Sequence, residues 1–208
     1  MAKSEKQKSS LPILIAVAIA VLATFGFFYY LSGSGGGKIS QTPLIGGDFE
    51  LIDQDNKAFT QENLKGKYSL VYFGYTHCPD VCPTELQDMT TALEKLGGLA
   101  KKVRPIMISV DPERDTPAAL KEYMGNFYPG FIGLTGTAEQ VKKASDAYRA
   151  YYRKSDEKSS ADYTMDHSSI VYFMDPEGRY LRHFAYGVAP DKMAAGIKEA
   201  IKKHEVPG

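Results

Sequence analysis

The chain has 208 residues, with 25 basic and 25 acidic side chains and a formal net charge of zero. No basic excess marks a nucleic-acid surface, and no acidic tail marks a basic partner. It has no tryptophan and only two cysteines.

Residues 11–31 form an uncharged apolar run. A helix needs about 20 such residues to cross a bilayer. Pro12 falls in the first turn, where a missing N–H costs little. Tyr29 and Tyr30 stand at the far end, where amphipathic rings favour the headgroup region. A cleaved signal peptide has a shorter apolar core ending in small residues; this run is longer and ends in aromatics. The expectation is a retained anchor. Lys3, Lys6 and Lys8 precede it and favour a cytoplasmic residue 1–10 segment, with the remainder outside the cytoplasm. The absence of a long Arg-rich leader points to a bacterial inner membrane. Both cysteines lie deep in the domain, so neither is a lipid acceptor. Residues 32–38, rich in Gly and Ser, read as a flexible tether. Residues 39–208 are of a size typical of one domain.

Within that domain, residues 48–53 alternate apolar and polar, residues 54–57 form a turn, and Ala58 and Phe59 follow. This predicts a β-hairpin. Residues 68–74 are a short apolar run suited to a buried strand. Leu86, Met89, Thr90, Leu93 and Leu96 stand at helical spacing, which predicts a helix over 84–96 with Pro83 at its start. A second buried strand is expected over 103–110. Thr116 then reads as a helix cap before Pro117, with a helix over 118–128. A short strand at 131–135 and a Thr137-capped helix running towards Tyr148 come next. Residues 155–161 are polar and read as an exposed loop. Residues 169–174 and 179–186 flank the turn Asp175-Pro-Glu-Gly178 as a hairpin, and residues 190–204 form a terminal amphipathic helix. Strands alternating with helices predict an α/β sheet, with the final hairpin adding antiparallel strands.

The two cysteines are Cys78 and Cys82, in Cys78-Pro-Asp-Val-Cys-Pro83, at the strand-to-helix turn. A helix N-terminus carries partial positive charge and unsatisfied N–H groups. Both favour thiolate, the form that attacks or ligates. Pro83 is expected to stop the helix from extending back through Cys82, and the charge of Asp80 is expected to oppose thiolate formation in part. A purely structural disulfide across so small a loop would restrict the unfolded chain only slightly.

His167 is the next candidate, just before the strand at 169–174. In a thioredoxin-like sheet the turn before that strand lies against the cysteine helix. A histidine there can complete a two-sulfur, one-nitrogen site; next to Asp166 it reads equally as half of a hydrogen-bonded surface pair. Thiolates suit Cu(I), and the imidazole also accommodates Cu(II). Structural zinc normally takes four protein ligands; only three are counted here. Asp166 is either a neighbour that supports the histidine or a loop-capping residue. His77 adjoins Cys78 but points elsewhere if the segment is extended. His183 reads as solvated, and His204 suits the last turn of its helix. Met165 shares a face with His167 in an extended segment, as a weak thioether contact or as core. Tyr148, Tyr151 and Tyr152 are read as exposed or in part packed on the sheet.

Residues 73–83 (Phe-Gly-Tyr-Thr-His-Cys-Pro-Asp-Val-Cys-Pro), 109–117 (Ser-Val-Asp-Pro-Glu-Arg-Asp-Thr-Pro) and 163–167 (Tyr-Thr-Met-Asp-His), with Leu134-Thr-Gly136 and the single anchor, together resemble the Sco/SenC family. The likeness runs from about Ile45 to Ile201. It implies a thioredoxin-like, peroxiredoxin-type mixed sheet flanked by helices. It also implies a membrane-tethered copper protein that assists assembly of the binuclear copper centre in subunit II of cytochrome c oxidase. The family's metal ligands map onto Cys78, Cys82 and His167. A copper-donor chaperone or a thiol reductant would be further partners. Within 109–117, Asp111-Pro112 reads as a strand-ending turn and Asp115-Thr-Pro117 as a helix start. Arg114 can pair with either aspartate; carboxylates are poor ligands for Cu(I).

Three other functions fit the same residues. A thiol–disulfide oxidoreductase would need the cysteines but not His167; here three residues separate them, where thioredoxin-type motifs have two. A peroxiredoxin-like peroxidase expects Thr or Ser three before the attacking cysteine, and Cys82 has Pro79 there and Cys78 has Tyr75. A copper or redox sensor would use the site unchanged.

Overall fold

The computed structural model describes residues 45–155 and 163–205, together with Leu22, Thr24 and Phe27, which are helical. The chain divides into two units, Met1–Thr42 and Pro43–Gly208. The expected cytoplasmic segment and tether lie outside the described residues. So does the anchor, apart from those three positions, and the loop at 155–161, apart from Ser155. Among the described residues no helix is long and apolar enough to cross a membrane.

The domain runs β1 (Glu50–Asp53), β2 (Ala58–Thr60), β3 (Tyr68–Gly74), α1 (Val81–Leu96), β4 (Val103–Ser109), α2 (Pro117–Met124), β5 (Ile132–Thr135), α3 (Ala138–Tyr148), β6 (Tyr152–Lys154), β7 (Met165–His167), β8 (Ile170–Met174), β9 (Tyr180–Ala185) and α4 (Pro190–Glu205). Short 3-10 turns at Gln61–Leu64 and Gly97–Lys102 join strands and helices. The main sheet has the order β2-β1-β5-β4-β3-β8-β9. β4 pairs in parallel with β3 and β5; the other ladders are antiparallel. This is the expected mixed α/β sheet with an N-terminal hairpin.

β3 is buried along its whole length, so both faces of the sheet are covered. Its alternate residues show how. Phe73 meets Tyr148 of α3, with ring centroids 5.4 Å apart. Tyr68, on the opposite face, meets His204 of α4. Gly74 shares the Tyr68 face and lies against Cys82 of α1. Gly133 of β5, in register with Met107 and through it with Tyr72, packs against Leu120 and Met124 of α2. Thus α1, α2 and α4 cover one face and α3 the other.

Two helix boundaries differ from the sequence expectation. α1 starts at Val81, so Cys82 lies inside its first turn and Pro83 does not hold the helix back. A first-turn residue has no intrahelical N–H partner to lose, and Pro83 is tolerated there. α2 ends at Met124, short of 128, because Gly125 and Asn126 follow. The Asn126 side-chain amide donates to the carbonyls of Glu122 and Tyr123, which satisfies groups left open at the helix end. Thr116 and Thr137 cap α2 and α3 through their side chains, as expected.

The β6–β7 pair was not legible in the sequence. It is a separate two-stranded sheet, with Tyr152 opposite His167, Arg153 opposite Asp166 and Lys154 opposite Met165. Each strand has three residues and a mixed exposure, too short for an alternation signal. Tyr148 is buried, its ring tilted against Phe49 and Phe73 and edge-on to Tyr172, so it packs more completely than the partial packing expected of it. Tyr151 is exposed.

Candidate metal centre

β3 delivers the chain to Gly74, and the turn through Tyr75 and His77 carries it to Cys78. No side chain at Asp80 caps α1. Cys78 does so instead, because its Sγ accepts the backbone N–H of Cys82 at 3.3 Å. A sulfur at the positive end of a helix is stabilised as thiolate. Cys82 sits one turn further in and is buried, while Cys78 is partly exposed; both are free thiols. Gly74 makes this close packing possible. A Cβ there would stand 2.6 Å from a ring carbon of Tyr72 and 3.2 Å from Cys82 Sγ.

His167 arrives from the far end of the domain on β7. Its Nε2 lies 3.3 Å from Cys82 Sγ. The donor atoms of Cys78, Cys82 and His167 all lie within 4.8 Å of one another. The rings of Tyr72 and Tyr75 meet the imidazole edge-on, each with centroids 5.9 Å away, and hold its plane. Its Nδ1 faces the Ser168 carbonyl at 3.4 Å. Cys78, Asp80, Met165 and His167 line a cleft of about 310 Å³ open to solvent.

The two sulfurs are electrostatically unequal. Cys78 is pulled down to about 3, first by the hydrogen bond from the Cys82 thiol; burial opposes this next, and His167 and the backbone N–H groups of Cys82 and Asp80 add to the lowering. Cys82 is pushed up, by that same hydrogen bond to Cys78 and by burial. The backbone N–H of Asp80 favours the thiolate, separately from the side-chain charge expected to oppose it. Next to this site, burial pushes the hydroxyls of Tyr72 and Tyr123 up, so both stay protonated.

The other sequence candidates lie apart from the three donors. Asp166 pairs with Arg153 across the hairpin, Nε to Oδ2 3.1 Å, and not with the imidazole beside it. Neighbouring strand residues face opposite ways, which separates the two. His77 is turned to Thr76, 3.0 Å from its Oγ1. His183 is exposed and bonded to the Tyr180 hydroxyl. His204 is more than a cation at a helix end. Its Nδ1 meets the Tyr68 hydroxyl at 2.9 Å, and its Nε2 faces Asp175 and Glu177 at 3.5 and 3.7 Å. That second cluster already holds a cation, since Arg179 donates to both carboxylates.

Sequence reasoning missed Tyr75, which is buried and whose hydroxyl accepts the Met165 N–H at 3.2 Å, tying the cysteine loop to the histidine strand. The available signal was its place between a buried strand and the first cysteine.

The SCO1/SenC family pattern matches residues 37–202. The chain belongs to the SCO1/SenC family. A SCO2-like protein of Rickettsia conorii is 47% identical over 194 residues, covering 87% of this chain and 93% of that one. The crystal structure of Arabidopsis thaliana ScoI with copper bound is similar at a TM-score of 0.73 and 42% identity, covering 76% of this chain and 99% of that one. The structure of Bradyrhizobium japonicum ScoI with copper bound is similar at 0.69 and 47%, covering 75% and 99%. This SCO1/SenC chain shares with them the thioredoxin-like sheet on which its cysteine turn and histidine strand converge.

Proposed function

We propose that this SCO1/SenC chain is a copper metallochaperone that binds one copper ion through Cys78 Sγ, Cys82 Sγ and His167 Nε2. The observation that carries the proposal is the convergence of two soft sulfurs and one imidazole nitrogen within 4.8 Å, with Cys78 and His167 lining a cleft open to solvent. Two thiolates suit Cu(I), and the imidazole extends the site to Cu(II). Three protein donors leave one side of the metal open. An incoming thiolate or imidazole of a recipient can enter there, and ligand exchange then moves the ion. The copper-bound relatives support the choice of metal.

The recipient is the binuclear copper site of cytochrome c oxidase subunit II, as the family likeness implies. Residues 11–31 anchor the chain in a bacterial inner membrane with the domain on the extracytoplasmic side. The tether at 32–38 raises the effective concentration of the domain at a membrane-bound recipient.

A second reading has its own supporting observation. A partly exposed Cys78 with a depressed pKa beside a buried Cys82 is the arrangement of an attacking thiolate and a resolving thiol. Reduction of the recipient's cysteines would then precede or accompany metal delivery.

The test is a copper titration of the reduced full-length chain beside His167→Ala, counting bound metal and recording the spectrum. One equivalent with a thiolate-to-Cu(II) charge-transfer band altered in His167→Ala supports the metallochaperone. No specific binding, with the cysteines still cycling between dithiol and disulfide, moves the function to thiol chemistry.

A further inference from the structure

The segment Ser109–Asp115 carries charges that the metal centre does not use, and they join its two halves. Asp115 is fully buried. It accepts hydrogen bonds from Ser109 Oγ at 2.6 Å, from Thr76 Oγ1 at 2.6 Å and from the Thr76 backbone N–H at 3.1 Å. Thr76 stands two residues before Cys78, so this carboxylate anchors the cysteine loop. Asp111, also buried, accepts the Tyr163 hydroxyl at 2.7 Å and pairs with Arg114. Tyr163 leads directly into β7, so this carboxylate anchors the histidine strand.

Arg114 lies between the two anchors. Its guanidinium stands 3.8 Å from the ring centroid of Tyr163 and 5.8 Å from that of Tyr75. Lys154 of β6 covers the Tyr163 ring, 3.5 Å from its centroid. A guanidinium can stack on two rings and bond a carboxylate at once, which an ammonium cannot. Arg114 therefore holds a residue of the cysteine loop and a residue of the histidine hairpin in one stack.

We propose that Asp111, Arg114 and Asp115 form a bracket that sets the distance between the cysteine pair and His167, and that they act as positioning residues for copper retention. The inference rests on the copper reading of the site. The physical case is one of reach. His167 sits on a pair of three-residue strands outside the main sheet, and two strands this short have little stability alone. What fixes it against the cysteine loop is the Tyr163–Asp111 bond, the Arg114 stack and the Tyr75–Met165 bond. A small drift of the hairpin would separate His167 Nε2 from the sulfurs while leaving the dithiol intact.

The experiment measures copper release from the loaded full-length chain to a competing chelator in Tyr163→Phe and Arg114→Lys, each also in a His167→Ala background. Tyr163→Phe removes one oxygen from a partly exposed ring and keeps the fold; Arg114→Lys keeps the charge but not the fork. The expected result is release accelerated about tenfold in each, the scale of one lost hydrogen bond to an ionised acceptor. Dithiol–disulfide cycling stays at the wild-type rate. In the His167→Ala background the same substitutions change release by less than about twofold, because the imidazole they position is gone. Unchanged release in the histidine-containing chain overturns the bracket while leaving the copper site in place. Equal acceleration with and without His167 also overturns it, since the effect then does not pass through the imidazole. A wild-type chain that binds no copper overturns the copper reading and the bracket with it.

Discussion

Cys82 Sγ and His167 Nε2 stand 3.3 Å apart although 85 residues separate them along the chain. The helix that carries the sulfur and the small hairpin that carries the nitrogen are brought together by the end of β3. The chemistry of the site follows from that meeting, and so do the expected effects of changing it.

Removing either sulfur leaves at most two donors. Cys78→Ala and Cys82→Ala are each expected to abolish stoichiometric copper binding. His167→Ala is expected to weaken binding while leaving the dithiol able to oxidise and reduce. Metal counts after gel filtration and the thiolate-to-Cu(II) band check this. A stoichiometric complex in either cysteine variant would remove the dithiolate from the site.

Copper that binds only the folded domain must stabilise it. At a copper concentration 100 times its dissociation constant, the gain is about 2.7 kcal/mol. The thermal midpoint is expected to rise on loading, and to return when a chelator strips the metal. Scanning calorimetry on the reduced chain, loaded and stripped, reads the shift directly.

Gly74 is held at its position by contact and not by backbone conformation. A methyl group there meets Tyr72 at 2.6 Å and Cys82 Sγ at 3.2 Å. Gly74→Ala is therefore expected to destabilise the domain by about 1–3 kcal/mol, as overpacking does. It should also move the charge-transfer band, because Cys82 has to shift. A denaturant melt together with the copper spectrum separates the two effects.

Glu85 is fully buried on α1, and neither of its side-chain oxygens makes a well-formed hydrogen bond, the Gly187 N–H being the nearby donor. Burial, helped by the nearby charge of Asp88, raises its pKa from 4.5 to about 7, with the Gly187 amide opposing in part. The folded state thus holds the proton more tightly than the unfolded state. Stability falls as pH rises from about 4.5 to 7 and then levels off. Glu85→Gln removes the ionisation. It is expected to match the wild type near pH 4 and to exceed it near pH 8, by up to about 3 kcal/mol at 1.36 kcal/mol per unit. Urea melts at the two pH values check this, and a variant equally unstable at both would refute the ionisation.

The depressed Cys78 predicts selective chemistry. Reduced, metal-free protein is expected to be alkylated by iodoacetamide at Cys78 with little loss of rate from pH 8 to pH 5. Cys82, buried and with its pKa raised, stays unmodified over the same range. Peptide mass mapping after timed quenching tells the two apart.

Much of the domain was legible before the structure. Thr116 and Thr137 marked helix starts because a hydroxyl before a helical run has one local task, accepting a first-turn N–H. The apolar run at β3 marked a strand covered on both faces. Other features were not legible. α1 begins before Pro83 because the sulfur of Cys78 supplies the cap that Asp80 does not. Spacing alone does not reveal such a cap. The short β6–β7 pair has too few residues for periodicity, and its register is set by contacts made elsewhere.

The site divides in the same way. By itself the sequence determined the donor types, the place of the cysteines at a strand-to-helix turn and the family likeness. These are local or motif properties, set by residue chemistry and spacing. Only the tertiary structure decided that Asp166 turns to Arg153 and that Asp111, Arg114 and Asp115 join the cysteine loop to the histidine hairpin. It also decided that one sulfur is partly exposed and acidic while the other is buried. Those outcomes depend on distances between segments far apart in the chain, and on the exclusion of water where they meet.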